Sequence, residues 1–196
     1  MRGLEQIPWL YDAFMVVADR FSFGRWRTSL VEPSGGPQLE VGCGTGRTLA
    51  LFPEGTPVIG LDPDAHVLKA ARERSPRVPL VQARAEALPF RDGTFDAVIT
   101  SLSFCSVDDP ERGLAEIART LAPGGRLRMF EHVRPRWRPA ALVARWVQPA
   151  WTTVAGGCRP DRDTEATVRR AGFRIDPDTH HARGILRRFD ADPPSR

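Results

Sequence analysis

Short apolar runs alternate along the chain with longer stretches in which apolar residues recur at helical spacing, and Gly and Pro separate the two kinds. PQLEVG (37–42) reads as a first strand, with RTLALF (47–52) opening a helix behind it. TPVIGLD (56–62) is a second strand, and PDAHVLKAARERS (63–75) carries Ala65, Leu68 and Ala71 at helical spacing. RVPLVQA (77–83) is a third strand, weakened by Pro79. FDAVITS (95–101) is apolar on both faces, as a central parallel strand must be. DDPERGLAEIARTLAPGG (108–125) is a helix with an acidic start, apolar Leu114, Ile117 and Leu121, and a Pro-Gly-Gly stop. RLRMFEHV (126–133) is a fifth strand, RDTEATVRRAGFRI (162–175) a helix running into a strand, and ARGILRRF (182–189) the last strand.

Such alternation predicts an α/β fold: an open, mostly parallel sheet with helices on both faces. Ligands of such sheets bind beyond the carboxyl ends of the strands, where the strand order switches. The length of 196 residues fits one well-cored domain, 1–196. Residues 1–30 and 133–160 fall outside the alternation, the first as an N-terminal lid or helical segment and the second as an insertion on the substrate side.

Charge and cysteine usage narrow the class. The net charge of +4 is uneven: residues 126–196 hold 15 basic and 8 acidic side chains, all the basic ones arginine. A basic third of this kind can face an anionic partner, but a solvated surface is the simpler expectation. No RNA-binding or zinc-finger pattern appears, so neither nucleic acid nor a metal is expected. Cys43, Cys105 and Cys158 are scattered and unpaired in spacing, which suits reduced thiols in a cytoplasmic protein. The apolar run Ile7–Ala18 contains Asp12 and is too short to span a bilayer.

The candidate chemistry centres on LEVGCGTG, where Gly42, Gly44 and Gly46 stand at alternate positions. A dinucleotide fingerprint needs its third glycine at 47, which is Arg47, and a phosphate loop needs a lysine that is absent. The pattern that fits is acid-x-G-x-G-x-G, beginning at Glu40. Its glycines, with Cys43 and Thr45 between them, let a ligand lie against the backbone. A carboxylate beside the loop repels pyrophosphate and suits an ammonium group. Asp62, with Pro63 after it, ends the second strand 22 residues past Glu40, where an acid accepts hydrogen bonds from ribose hydroxyls. A nucleoside with a cationic amino-acid tail satisfies both acids, and S-adenosyl-L-methionine is such a molecule.

LEVGCGTG, GLDPD, AEALPFRDGTFDAVIT and LAPGGRL resemble the successive motifs of class I S-adenosylmethionine-dependent methyltransferases, from Gln38 to Leu127. The resemblance implies a Rossmann-like, seven-stranded, mostly parallel sheet with an antiparallel last strand. It also implies that Ala85 and Glu86 border the adenine and that Ser101 and Leu102 lie beside the methionine moiety. Arg84 stands where many relatives have an Asp on the adenine amino group.

Farther along, FCSV, EHV, QPAW, GGC and RDT are similar in order and spacing to alkyl-thiol S-methyltransferases and their bacterial relatives. That resemblance implies a small, fairly apolar methyl acceptor, a thiol first. A lipid amine or a quinone ring carbon is the alternative, and a non-catalytic ligand-binding domain of the same fold is a third. His132, just past the fifth strand, is the candidate base or orienting group, with Glu131 beside it. Phe104, Cys105 and Trp151 are expected to wall the acceptor pocket. Trp9 and Tyr11 belong to a segment that packs as a lid, rests on a membrane surface, or buries one face on the sheet. Peripheral membrane contact and the oligomeric state stay open on sequence alone.

Overall fold

The computed structural model describes residues 24–134 and 161–195, together with Leu142, Trp146, Gln148 and Arg159. Trp9, Tyr11, Trp151 and Cys158, and most of the two segments set apart from the alternation, lie outside the described residues.

A short helix, α1 (Gly24–Thr28), precedes the first strand, β1 (Gln38–Val41). Then follow β2 (Val58–Asp62), helix α2 (Ala65–Arg74), β3 (Leu80–Gln82), β4 (Phe95–Ser101), helix α3 (Pro110–Thr120) and β5 (Leu121–His132). Helix α4 (Thr164–Arg170) leads to β6 (Arg174–Ile175), β7 (His181–Arg183) and β8 (Leu186–Asp192). Three helices start on an aspartate whose carboxylate accepts a backbone N–H of the first turn: Asp64 from His66, Asp109 from Arg112 and Asp163 from Ala166. Those caps satisfy donors that no helical carbonyl can reach.

The sheet runs β3-β2-β1-β4-β5-β8-β6. The first five strands are parallel, and β8 enters antiparallel between β5 and β6. This is the expected architecture with one extra short strand, because 182–189 is not one strand. Gly184, at φ +57°, turns the chain back, so that β7 and β8 pair as a hairpin. RTLALF likewise forms no α-helix, only a 3-10 turn at Leu49–Leu51.

Central strands bury both faces, as their apolar runs require. On β4, Val98 packs into a cluster with Leu114 and Ile117 of α3. Its neighbours Ala97 and Ile99 point to the other face, against Leu30, Phe130 and Leu186. Phe95, Phe104, Phe130 and Phe189 are all fully buried. Each such side chain contributes about 1.5–3 kcal/mol relative to exposure.

The basic C-terminal third is not simply a solvated surface. Arg128, Arg187 and Arg188 are buried. Arg128 donates to the carbonyls of Leu30 and Glu32, tying the start of the described chain to β5. Arg187 donates to Glu165 at 3.1 Å, and Arg188 pairs with Asp190 at 2.8 Å and donates to Ser29 Oγ at 2.9 Å. Fixed in this way, these charges hold elements together rather than facing a partner.

Candidate functional site

The strand order reverses between β1 and β4, and a cavity of about 380 Å³ opens beyond their carboxyl ends. Residues 40–45 and 61–64 line one side of it, and residues 84–86, 101–103 and 106–108 line the other.

The three loop glycines serve different purposes. All have positive φ: Gly42 +71°, Gly44 +52° and Gly46 +77°. A Cβ on Gly42 would lie 2.4 Å from the Ser103 Cβ, so the end of β1 touches the loop after β4. A Cβ on Gly46 would lie 3.1 Å from both Cα and Cβ of Ala71, so this glycine seats helix α2 and does not line the cavity. A Cβ on Gly44 would meet nothing within 4 Å. Gly44 alone of the three keeps open space for a ligand.

Glu40 and Asp62 flank that loop. Glu40 is 1% exposed, and its Oε2 has no hydrogen-bond partner among the described residues. Burial pushes its pKa up to about 8, against the pull of a Thr48 hydrogen bond and the Arg27 guanidinium. The Asp62 carboxylate accepts from Gly44 N and from Asp64 N, both at 2.9 Å, which fixes its orientation at the end of β2. Burial raises its pKa, and those two N–H groups oppose the rise. Cys43 lines the cavity with its thiol pushed up by burial and by the two neighbouring acids, an inert wall rather than a nucleophile.

Thr45, Pro63, Ala85, Glu86 and Ser101 also line the cavity. Glu86 accepts from Asp108 N at 3.1 Å and Asp109 N at 3.2 Å, fastening the start of α3 to this rim. Arg84, at the unusual position, pairs with Asp108 and with Glu86. It closes a rim of alternating charges instead of taking the role of the absent Asp. Leu102 is the one non-glycine residue among those described with positive φ, at 55°. A bond of 2.7 Å from its N–H to Phe130 O and packing against the Leu30–Phe130 cluster hold it there. Strain of this kind persists only where the surroundings over-determine it.

Besides Gly46, four sequence-predicted residues among those described do not line this cavity: Phe104, Cys105, Glu131 and His132. Phe104 and Cys105 are 2% and 1% exposed, because a 3-10 turn at Phe104–Ser106 rotates them inward, with Phe104 against Gly113. Glu131, wholly buried, accepts from Phe104 N at 2.9 Å and Ser103 N at 3.2 Å. Burial lifts its pKa to about 7. It is a brace for the loop after β4 and has no exposure to an acceptor. His132, partly exposed, follows on the opposite face of β5, the face of Phe130, and its carbonyl accepts from Thr164 Oγ1 at 3.2 Å.

Arg27, Arg47, Thr48, Ser103 and Asp108 line the cavity without having been singled out. Their contribution comes from contacts between distant segments. Only Arg47 and Thr48, on the turn that follows the glycines, had a local signal.

Comparison with known proteins agrees with this geometry. Residues 39–129 match the methyltransferase-domain family. Thiol S-methyltransferase TMT1B of Rattus norvegicus is 33% identical over 143 residues, covering 69% of this chain and 59% of that protein. Demethylmenaquinone methyltransferase of Renibacterium salmoninarum is 35% identical over 138 residues, covering 68% and 58%. Phosphatidylethanolamine N-methyltransferase of Cereibacter sphaeroides is 37% identical over 136 residues, covering 63% and 67%. A Thermotoga maritima SAM-dependent methyltransferase structure superposes with TM-score 0.72 at 23% identity, over 96% of each chain. The cyclase SpnF superposes with TM-score 0.62 at 27% identity, over 81% of this chain and 57% of that one.

The chain belongs to the class I S-adenosylmethionine-dependent methyltransferases. It spans about 59% of the length of the first thiol-methyltransferase relatives. S-Adenosylmethionine is the cofactor that family and fold imply, and the residues present fit it. The buried Glu40 Oε2 lacks a partner among the described residues, Gly44 leaves its side-chain space open, and Asp62 is oriented by two backbone amides.

Proposed function

We propose that this chain transfers the methyl group of S-adenosylmethionine to a small, fairly apolar acceptor, a thiol first. The observation that carries the cofactor half is the unpartnered, buried Glu40 Oε2 beside Gly44 and Asp62. The thiol half rests on the similarity to thiol S-methyltransferases.

When bound, the cofactor supplies an electrophilic sulfonium methyl that passes to a thiolate lone pair, its own sulfur keeping the old bonding pair. The thiol proton is then the group left for the protein to move. Glu40 holds the ammonium of the amino-acid end, and Asp62 accepts from the ribose hydroxyls. Cys43, Ala85 and Val67 give the cavity apolar walls. His132 takes the proton or orients the acceptor from the carboxyl end of β5, on the face that alternation gives to Phe130.

A second reading has a specific observation behind it. Relatives of similar identity act, by their names, on demethylmenaquinone and phosphatidylethanolamine, so a quinone carbon or lipid amine competes with the thiol. The same fold in SpnF belongs to a cyclase, so a ligand-binding role without methyl transfer stands third. We place the protein in the cytoplasm. Exposed Leu142 and Trp146, four residues apart, support contact with a membrane surface, and no helix among the described residues is long and apolar enough to cross one.

The deciding experiment measures S-adenosylhomocysteine release across thiols, amines, phenols and quinones. Turnover of aliphatic thiols ahead of the rest supports the first reading. Turnover of only quinones or lipid amines moves the assignment to the second, and binding without release moves it to the third.

A further inference from the structure

The loop after β4, whose residues 106–108 line the cavity, is gripped from two sides. In a trans peptide the carbonyl of one residue and the N–H of the next point in opposite directions. In the peptide joining Val107 to Asp108, the carbonyl accepts from Arg162 Nη1 and the N–H donates to Glu86 Oε1 at 3.1 Å. In the next peptide, joining Asp108 to Asp109, the carbonyl accepts from Arg162 Nη2 at 3.3 Å. Its N–H donates to the same Glu86 oxygen at 3.2 Å. Arg162 Nη1 also reaches Cys105 O at 3.2 Å. A cation thus faces the carbonyl ends of two peptide dipoles, and an anion faces their N–H ends.

Other contacts hold this rim less firmly. Arg84 and Asp108 pair across it, but both side chains are more than half exposed, and such pairs contribute little. Arg162 is half-buried and the Glu86 side chain is 13% exposed, so their bonds are better shielded. Arg162 also stands where the two ends of the segment 133–160 meet. Its carbonyl accepts from Arg134 N at 2.8 Å, its N–H donates to Arg159 O at 3.2 Å, and Arg159 N donates to Cys105 O at 3.3 Å. Two residues on, Thr164 Oγ1 donates to the carbonyl of His132, the candidate base.

We propose that Arg162 is a positioning residue for the cofactor cavity: with Glu86 it clamps two successive peptides of the rim, and so ties the acceptor-side chain to the cofactor site. The inference rests on the S-adenosylmethionine reading. Cofactor binding then stabilises the junction of Arg134 and Arg162, which lies outside the cavity lining, and a disturbed junction weakens cofactor binding in return. A lysine at 162 carries the charge but lacks the planar fork that spans neighbouring carbonyls.

The test is a double-mutant cycle read by calorimetric titration of S-adenosylmethionine into wild type, Arg162→Met, Glu86→Ala and the double variant. Arg170→Met is the control, because it removes an exposed pair between α4 and α3 and leaves the rim intact. Arg162→Met should bind at least about tenfold more weakly and Arg162→Lys to an intermediate degree, while Arg170→Met should stay within about twofold of wild type. The double variant should bind no more weakly than the weaker single one, since either loss already frees the same peptides. Losses that multiply in the double variant overturn the proposal. So does an Arg162→Met protein that melts earlier yet keeps its affinity, which makes the residue structural only. If Arg162→Met fails to fold, hydrogen exchange in wild type decides. Saturating cofactor should slow the Asp108, Asp109 and Arg134 amides together, by at least about threefold. Slowing of Asp108 and Asp109 without Arg134 overturns the tie. Failure of wild type to bind S-adenosylmethionine refutes the cofactor reading, and the inference with it.

Discussion

Ser103 occupies the space that any side chain at residue 42 would need. A Cβ on Gly42 would lie 2.4 Å from the Ser103 Cβ and 2.7 Å from its Oγ, while that hydroxyl donates to Val41 O at 3.0 Å. The ends of β1 and β4 are thus closed on each other beside the cavity.

Gly42→Ala and Gly44→Ala should therefore separate stability from binding. Each replacement forces a side chain into positive φ, at about 1–2 kcal/mol. Gly42→Ala adds a collision with Ser103, for which overpacking of about 1–3 kcal/mol is the general scale. Denaturant midpoints should fall clearly more for Gly42→Ala, whereas Gly44→Ala should lose cofactor affinity out of proportion to its smaller loss of stability. Equal stability losses would contradict the roles drawn from the two environments.

Asp62→Ala should lower S-adenosylmethionine affinity roughly ten- to hundredfold, the equivalent of about 1.5–3 kcal/mol for a lost charged acceptor. Asp62 also accepts from Gly44 N and Asp64 N, so part of the loss arises from the loop. Titration of Asp62→Asn, which keeps one acceptor oxygen, should give an intermediate affinity. Unchanged affinity in both variants would remove Asp62 from the site.

Glu40 makes binding depend on pH. Its pKa of about 8 means that the carboxyl is mostly protonated at neutral pH, whereas an ammonium partner requires the ionised form. Binding near pH 7 should release close to one proton, and affinity should rise with pH, by up to about tenfold per unit, until about 8. Calorimetry in buffers of different ionisation enthalpy reads this directly, and Glu40→Gln should abolish the release.

The same shifts govern the ligand-free protein. Glu40 and Glu131 have folded pKa values of about 8 and about 7, above the ordinary 4.5, so the folded chain holds more protons between those limits. Their contribution is fully present below about 4.5 and is lost as pH rises through about 7 and about 8. Denaturation midpoints at successive pH values should show the decline, and Glu131→Gln should flatten its lower portion. Glu131→Ala should cost about 1–3 kcal/mol, because the N–H groups of Ser103 and Phe104 lose their acceptor.

If a thiol is the acceptor and His132 its base, His132→Ala should reduce turnover about 10²-fold at neutral pH. The defect should shrink at high pH, where the thiol ionises unaided. A variant with full activity at pH 7 makes His132 structural, consistent with its carbonyl bond to Thr164.

The parallel sheet and the glycine loop were legible because they depend on local pattern: apolar runs, the spacing of Glu40, Gly42, Gly44 and Asp62, and aspartate caps. What escaped depends on contacts distant in sequence. Nothing near Arg27 announces Glu40, and nothing near Ser103 announces Gly42. Glu131 read as a substrate residue because strand ends border ligands, but alternation along β5 turns it inward, to the loop after β4. The arginines of β5 and β8 read as surface charge because composition does not reveal that Glu165, Asp190 and Ser29 await them. Gly184 was visible inside an apolar run, yet only pairing with His181–Arg183 makes it a hairpin.

The place of β8 has a consequence for assembly of the chain. Among the described residues it is the last strand in sequence, yet it lies inside the sheet, with β5 on one side and β6 and β7 on the other. Until residues 186–192 arrive, the long edge of β5 is an unpaired ladder carrying Leu127, Met129 and Phe130, the kind of edge that recruits other chains. A nascent or proteolytically shortened chain ending before Leu186 therefore keeps its glycine loop and its acids but exposes a template for aggregation. Yield of soluble protein, more than ligand affinity, is what such a truncation should abolish.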